Sequence, residues 1–361
     1  MPHSITPLLD RFPALQQLPR APLGRVAPPV LKTSISHAGE LLVWRDDLNA
    51  PVAGGNKLRA LEFLLGSVQA GDTVVAIGGR GSTHIYTTAT HAARIGAGTV
   101  AVRWPHHTTA LSEAVASLTA TRCSRLYDLP LPLAIPAAGW LRLTTAMPPR
   151  RTTTAASRIT TTTDSRQPAN TQTARRHWMP FGGSSTLGIL GQVNGALELV
   201  QRVRSGEFEQ PASIVVPAGS CGTAAGLLLG LTIGGLDSTV VGARCGPQAG
   251  ISHHRVISLA RHTAALIRQI SGQHVPEPSP AHFVLDHSAF GGAYGRPHPE
   301  SATLAAELFE QTGVVADSTY AAKALLAASR KSTSRPAMLW STFDAREFPE
   351  AAEWWKRPNG V

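Results

Sequence analysis

Apolar, β-branched runs recur along the chain, and several of them are followed by a turn and a stretch with helical periodicity. Buried strands are predicted at Thr73–Ile77, Thr99–Val102, Ser213–Val216 and Thr239–Ala243, with a shorter one at Ala337–Trp340. Helices are predicted at Leu58–Leu65, Thr83–Ile95, Leu187–Val203, Thr223–Leu231, Val256–Ile270, Ser301–Gln311 and Tyr320–Ser329. This alternation predicts an α/β fold with open parallel sheets covered by helices.

One segment lacks this pattern. Residues Thr144–His177 are rich in Thr, Arg, Ala and Pro, with almost no large apolar side chain and no helical or strand period. Such a composition cannot offset the entropy of ordering the chain. We expect residues 144–177 to form a low-complexity, disordered insert that proteases cut first.

Length and charge limit the possible classes of protein. A chain of 361 residues exceeds the size at which single cores stop growing, so two lobes are expected. The net charge is +10, but seven arginines lie between Trp140 and Phe181 against one acid, Asp164, and the rest of the chain is ordinary. The arginines are not interleaved with aromatic residues, so nucleic-acid binding is not predicted.

The remaining compositional signals concern location and metals. The N-terminus lacks a secretory signal and no long uncharged apolar span follows, so neither export nor membrane insertion is expected. Three widely spaced cysteines, Cys123, Cys221 and Cys245, fit no disulfide framework and favour a reducing, cytoplasmic location. The histidines form no metal-binding motif, and no metal site is predicted.

A lysine motif is the strongest chemical signal. In Gly54-Gly55-Asn56-Lys57-Leu58-Arg59 the lysine follows two glycines and opens a helix. Glycines let the backbone approach a bulky ligand, and a buried lysine amine readily loses its charge and can form a Schiff base with an aldehyde. The motif alone is also compatible with a lysine at a helix start that faces water.

Two further strand–turn–helix motifs carry small and hydroxyl residues. Ser213–Thr223 places Gly219, Ser220, Cys221, Gly222 and Thr223 in a turn before a helix, where free amides and the helix dipole form a natural phosphate site. It lacks the signatures of dinucleotide and nucleoside triphosphate sites.

The other motif is Ile77-Gly78-Gly79-Arg80-Gly81-Ser82-Thr83-His84. Ser82 is a candidate acid, base or carboxylate ligand, although a helix cap by Ser82 or Thr83 explains the same residues.

Five motifs in the same order resemble the D-cysteine desulfhydrase and 1-aminocyclopropane-1-carboxylate deaminase family. They are Arg45-Asp46-Asp47-Leu48-Asn49, Gly54–Arg59, Phe181-Gly182-Gly183-Ser184-Ser185, Gly291-Gly292-Ala293-Tyr294-Gly295 and Tyr320-Ala321-Ala322-Lys323-Ala324. The resemblance implies the two-lobed fold of the tryptophan synthase β-subunit (fold type II) and the cofactor pyridoxal 5'-phosphate. Residues 1–52 and 178–361 would form the larger lobe, and residues 53–143 the smaller inserted lobe.

The resemblance also implies roles for individual residues. Lys57 would bind the cofactor covalently, Ser82 would meet the substrate, and Tyr294 and Tyr320 would be the active-site tyrosines. Cofactor binding is implied for Asn56, Thr83, Gly219, Ser220, Cys221, Gly222 and Thr223, and Ser341 falls where the family places a hydroxyl against the pyridine nitrogen. A hydroxyl partner leaves that nitrogen largely unprotonated, which suits elimination.

The chain departs from the family at several of these positions. Thr83 replaces an amide, Cys221 replaces a glycine, and Thr342-Phe343 replaces a glycine pair. Ala321 stands where the cyclopropane deaminases carry a glutamate, which speaks against cyclopropane deamination.

The resulting hypothesis is a pyridoxal-phosphate-dependent lyase that acts on a small amino acid by β-elimination and deamination, with D-cysteine as one candidate and a homodimer as the possible assembly. A non-catalytic or damaged relative is one alternative. The other is a serine hydrolase, because Ala218-Gly219-Ser220-Cys221-Gly222 approximates G-x-S-x-G with Asp286 and His287 or His298 downstream.

Overall fold

The computed structural model describes residues 5–130, 174–330 and 332–356. Most of the insert predicted at 144–177 therefore lies outside the described residues. Over the described residues the chain forms two sheets covered by helices, and the predicted α/β class is confirmed.

The larger sheet has six strands in the order β1-β2-β10-β7-β8-β9. All neighbours are parallel except β1 and β2, which form an antiparallel pair. The strands are β1 (Val30–Ile35), β2 (Gly39–Arg45), β7 (Ser213–Ala218), β8 (Thr239–Arg244), β9 (Phe283–Asp286) and β10 (Ala337–Ser341).

The smaller sheet is parallel throughout and has the order β5-β4-β3-β6. Its strands are β3 (Thr73–Gly79), β4 (Gly98–Trp104), β5 (Arg125–Asp128) and β6 (Arg176–Trp178). The β6 strand is held by long-range contacts: the Arg175 amide donates to Asp72, and His177 pairs with the same carboxylate at 2.8 Å. The expectation that residues 144–177 contain no strand is thus wrong for the last residues of that segment.

Ten α-helices surround the sheets in the described part of the chain. They are α1 (Pro7–Arg11), α2 (Asn56–Leu64), α3 (Thr83–Ile95), α4 (Ala110–Arg122), α5 (Thr186–Arg204), α6 (Gly222–Gly234), α7 (His253–Ser271), α8 (Ser301–Thr312), α9 (Ala321–Ser329) and α10 (Pro349–Ala352). All seven predicted helices are present, and α3 has the predicted bounds. None of the described helices is long and apolar enough to span a bilayer.

The larger sheet is buried on both faces, as a parallel sheet between helices must be. Along β7, Ile214 and Val216 belong to a core shared with α5, α6 and α7, whereas Val215 belongs to a core shared with α8 and α9. Successive side chains of a strand point to opposite faces, so the two cores lie on opposite sides of the sheet.

Helix α2, which carries Lys57, is anchored by buried ion pairs. Arg59 is fully buried and donates to Asp46 at 2.7 Å and to both carboxylate oxygens of Glu198 at 3.1 and 2.9 Å. Gly191 of α5 lets the two helices approach, because a Cβ there would lie 1.9 Å from the Arg59 carbonyl oxygen. The lysine is therefore attached to a rigid part of the molecule.

Candidate functional site

A cavity of about 490 Å³ opens at the carboxyl ends of strands from both sheets. The lining includes Gly79 at the end of β3, Trp104 at the end of β4, and Thr342 directly after β10. Ligands of open α/β sheets bind at this edge, and the volume is in the range of small-molecule sites.

Lys57 is the only lysine among the residues that line the cavity in the described structure. Gly55 precedes it with a φ of 104°, and a Cβ at that position would lie 2.3 Å from the Thr342 carbonyl oxygen. The Lys57 Nζ donates to the Gly182 carbonyl at 3.2 Å. Burial lowers the pKa of Lys57 from 10.5 to about 8, so the neutral amine is much more populated near physiological pH than in an exposed lysine.

The turn before α6 forms a cup in the cavity wall. Gly219, Ser220, Cys221 and Thr223 line it at the amino-terminal end of α6, where backbone amides lack helical partners. Asn56 donates to the Thr223 hydroxyl at 2.8 Å and so connects the cup to the lysine helix.

Cys221 has a φ of 70°. Glycine takes this left-handed conformation without strain, which gives a physical reason why the family usually has glycine here.

Ser184 lies directly behind the cup. Its hydroxyl donates to Ser220 Oγ at 2.7 Å and accepts from the Gly222 amide at 3.1 Å. A Cβ at Gly182 would lie 2.4 Å from Ser220 Oγ and 3.6 Å from Lys57 Nζ, so the Phe181–Ser185 turn closes tightly against both groups.

The start of α3 supplies the opposite wall. Ser82, Thr83 and His84 line the cavity there. His84 is 3% exposed, and no hydrogen bond of standard geometry reaches either of its ring nitrogens within the described structure. Burial, and next the positive charge of Lys57, lower the pKa of His84 to about 3, although the Pro180 carbonyl acts in the opposite sense. The imidazole is therefore neutral near physiological pH.

Tyr294 and Tyr320 meet in the cavity with their hydroxyl oxygens 2.5 Å apart. Burial raises the pKa of Tyr294 to about 12 and raises that of Tyr320 as well. Both phenols stay protonated near neutral pH.

Ten of the twelve predicted site residues line this one cavity: Asn56, Lys57, Ser82, Thr83, Gly219, Ser220, Cys221, Thr223, Tyr294 and Tyr320. Gly222 lies behind it against Ser184. Ser341, the last residue of β10, is 1% exposed and does not line the cavity, whereas Thr342 does. The role of Ser341 therefore stays a prediction, and its neighbour Thr342 is the residue of this pair that reaches the cavity lining.

Other cavity residues were not singled out from the sequence. They include His84, Trp104, His106, Phe181 and Gly182. The available signal was their position, since Trp104-Pro105-His106 follows a predicted strand and Phe181-Gly182 lies within a family motif.

The serine hydrolase alternative requires a histidine at Ser220. Ser220 instead bonds Ser184, and Asp286 bonds Ser288. No hydrogen bond between Ser220 and a histidine occurs in residues 5–130, 174–330 and 332–356, so the triad is not formed there.

This fold and this cavity define the fold type II class of pyridoxal-phosphate enzymes. A family described as "Pyridoxal-phosphate dependent enzyme" matches residues 141–337, and the chain belongs to this family of enzymes.

The chain is 31% identical to the Nocardicin C-9' epimerase of Nocardia uniformis subsp. tsuyamanensis, over 86% of this chain and 88% of the relative. It is also 31% identical to the D-cysteine desulfhydrase of Salmonella choleraesuis (strain SC-B67), with 88% of each covered.

Solved structures share the fold at lower identity. A structure described as an ACC deaminase homologue superposes with a TM-score of 0.66 at 21% identity and covers 92% of this chain and 94% of its own. A threonine deaminase from T.th. superposes with a TM-score of 0.56 at 17% identity, with 93% and 97% covered. At these identities the likeness shows the fold.

The residues present fit the family's cofactor. A phosphate needs amides, hydroxyls and close backbone approach, which the turn before α6 provides. An aldehyde needs an accessible amine with a lowered pKa, which Lys57 provides in the same cavity. No group of three or more His, Cys, Asp or Glu side chains in the described ranges is arranged to hold a metal ion.

Proposed function

We propose that the protein removes the α-proton and a β-substituent from a small amino acid, with D-cysteine as the first substrate to test. The observation that carries this proposal is the convergence of Lys57, the cup before α6, the start of α3 and the tyrosine pair on one cavity. Pyridoxal phosphate, when bound, draws electrons from the amino acid and so acidifies its α-hydrogen.

The cup residues Gly219, Ser220, Cys221 and Thr223 would hold the phosphate, with Gly222 and Ser184 behind them. Asn56 would support this arrangement through Thr223. Lys57 would bind the cofactor's aldehyde carbon and, once a substrate replaces it there, accept the α-proton on Nζ. The lowered pKa of Lys57 supports the role of a base.

The substrate carboxylate would lie at the amino-terminal end of α3. Ser82 and the α3 amides offer donors there. Thr83 stands where the family has an amide, so one hydrogen bond to the cofactor ring would be missing and turnover would be slowed.

The tyrosine pair would supply a proton to the departing β-substituent. Both hydroxyls remain protonated near neutral pH, and their mutual hydrogen bond lets one phenol donate while the other supports it. Ala321 is buried and has no carboxylate to hold the pyridine nitrogen. The hydroxyl nearest to that role would be Thr342 or Ser341, which favours elimination over opening of a cyclopropane ring.

The test compares three substrates on the purified holoenzyme. Pyruvate and sulfide are expected from D-cysteine, pyruvate from β-chloro-D-alanine, and no 2-oxobutanoate from 1-aminocyclopropane-1-carboxylate. Lys57→Ala serves as the inactive control. Formation of 2-oxobutanoate alone would contradict the proposal.

A second candidate is epimerisation, because the chain is as similar to an epimerase as to a desulfhydrase. The first step, removal of the α-proton, is the same for both reactions. Incorporation of deuterium with inversion at Cα, without pyruvate, would favour the second candidate over the first.

Assembly and location are also proposals. A homodimer in the cytoplasm rests on the sequence analysis, and analytical ultracentrifugation of the purified protein tests the dimer.

A further inference from the structure

The two active-site tyrosines lie outside regular secondary structure. Tyr294 belongs to the segment between β9 and α8, and Tyr320 directly precedes α9. Three glycines around Tyr294, namely Gly291, Gly292 and Gly295, have φ values of 73°, 88° and 83°. The 2.5 Å contact between the two hydroxyls therefore depends on groups that hold these two segments in place.

Lys323 holds the segment that carries Tyr294. Its side chain is fully buried, its Nζ donates to the Phe290 carbonyl at 2.8 Å, and Nζ lies 5.6 Å from the centre of the Phe290 ring. The guanidinium of Arg244 lies 3.9 Å from the same ring. Phe290 directly precedes the glycine-rich turn, so these contacts fix its start.

Asp317 holds the segment that carries Tyr320. Its carboxylate is buried and accepts from the amides of Thr319 at 3.0 Å, Tyr320 at 2.9 Å and Ala321 at 3.0 Å. It thereby satisfies three amides at the start of α9, which have no helical partners.

We propose that Lys323 and Asp317 are positioning residues that together hold the Tyr294–Tyr320 hydroxyl pair in register for proton transfer. Asp317 lies in the connection before α9 and Lys323 in the first turn of α9, one at each side of Tyr320. Burial raises the pKa of Asp317 and lowers that of Lys323, and the charge of each residue opposes the shift of the other. The inference rests on the proposed function, since it assigns these residues to the same reaction.

A double-mutant cycle tests the pairing of Lys323 with Tyr294. Lys323→Met, which removes the donor to Phe290, should lower kcat roughly tenfold or more while KM changes less. In a Tyr294→Phe background the same substitution should have little further effect, because the hydroxyl it positions is already absent. Asp317→Asn should behave in the same way with Tyr320→Phe.

Amide hydrogen exchange of the substrate-free holoenzyme gives a readout that does not depend on turnover. Exchange of peptide 289–295 should accelerate in Lys323→Met, and exchange of peptide 318–322 should accelerate in Asp317→Asn. The control is Lys32→Met, which replaces a lysine whose side chain is 65% exposed and pairs with Glu40 at the surface. It should change neither peptide nor kcat.

The inference would be overturned if the losses in kcat were fully additive in both double-mutant cycles. It would also be overturned if amide exchange of peptides 289–295 and 318–322 were unchanged. Should Lys323→Met fail to fold, Lys323→Gln keeps an N–H donor at shorter reach and enters the same cycle with the same criterion. Failure of the unaltered protein to eliminate any tested substrate contradicts the proposed function instead. In that case amide exchange of the two peptides decides the inference by itself, because it does not depend on turnover.

Discussion

Lys57 and Lys323 are both removed from bulk water near the start of a helix, yet their surroundings differ. Lys57 is partly accessible through the cavity, and its Nζ has one carbonyl contact at 3.2 Å. Lys323 is fully enclosed, and its Nζ has a shorter carbonyl contact at 2.8 Å and an aromatic ring beside it.

This difference separates an amine that a ligand can reach from an amine that holds a neighbouring segment in place. Burial lowers the pKa of both lysines, but the Asp317 carboxylate opposes this shift for Lys323. No such acidic partner contributes to the pKa shift of Lys57. Burial makes a lysine a nucleophile only where an open path and the absence of a partner charge accompany it.

The largest expected effect separates the two lysines chemically. Borohydride reduction of the holoenzyme followed by peptide mapping should place the cofactor on Lys57. Lys57→Ala should abolish covalent attachment and lower turnover by roughly 10³-fold or more, because the attachment point and the base are lost together. Recovery of the reduced cofactor on Lys323 or Lys32 would show that Lys57 is not the residue that binds the cofactor.

The helix that carries Lys57 depends on ion pairs that the Lys323 helix lacks. Arg59→Met would leave Asp46 and Glu198 buried and without this partner, and should lower the free energy of unfolding by about 3–5 kcal/mol. Urea denaturation measures the change. Arg268→Met, which breaks a surface pair with Glu277, is the matched control and should cost about 1 kcal/mol or less. Equal costs for the two substitutions would contradict this account.

The pKa shift of Lys57 makes a further prediction about stability. The folded pKa of about 8 lies below the ordinary lysine pKa of 10.5, so between these pH values the unfolded chain binds more protons and stability rises with pH. Protonated Lys57 therefore destabilises the cofactor-free fold near neutral pH. Lys57→Met should raise the thermal midpoint at neutral pH, and its advantage should shrink as the pH approaches 10.5.

Lys323→Met should instead lower the midpoint, because the Phe290 carbonyl loses its donor. If Lys57→Met raised the thermal midpoint by the same amount at neutral pH and near pH 10.5, the pKa of Lys57 would not be lowered in the folded protein.

The smallest expected effect concerns Thr83, which stands where the family has an amide that would contact the ring of the cofactor. Thr83→Asn should restore the family's amide and raise kcat by about tenfold, since a hydrogen bond to a charged group is worth roughly 1.5–3 kcal/mol. Thr83→Val, which keeps the shape without the hydroxyl, is the control and should not raise kcat. Steady-state kinetics with β-chloro-D-alanine measures both variants.

Elements with a clear apolar pattern in their own sequence were predictable. Strands β3, β4, β7, β8 and β10 begin within a residue of their predicted positions, because parallel strands buried on both faces are continuous apolar runs. Helix α4 was missed because its Ala, Ser and Thr residues form only a weak helical stripe. Its Thr109–Ser112 capping box was the available signal.

Features that depend on distant partners were not predictable. The three residues of β6 form a strand because Asp72, about a hundred positions earlier, binds His177 and the Arg175 amide. Ten of the twelve candidate residues that were chosen by their position in sequence motifs line the cavity. Position in a motif alone could not distinguish Ser341, which does not line the cavity, from its neighbour Thr342, which does. His84 was missed because its lack of hydrogen-bond partners is a property of the packed site and not of the motif.

The order of the smaller sheet has a consequence for protein engineering. Strands β5 and β6 lie at opposite edges, so the end of β5 at Asp128 and the start of β6 at Arg176 are separated by three strand spacings, about 14 Å, and by about one strand length. Deleting residues 144–173 leaves roughly 17 residues between these strands, which reach about 56–61 Å when fully extended. A shortened chain of this kind is therefore long enough to join both edges of the sheet.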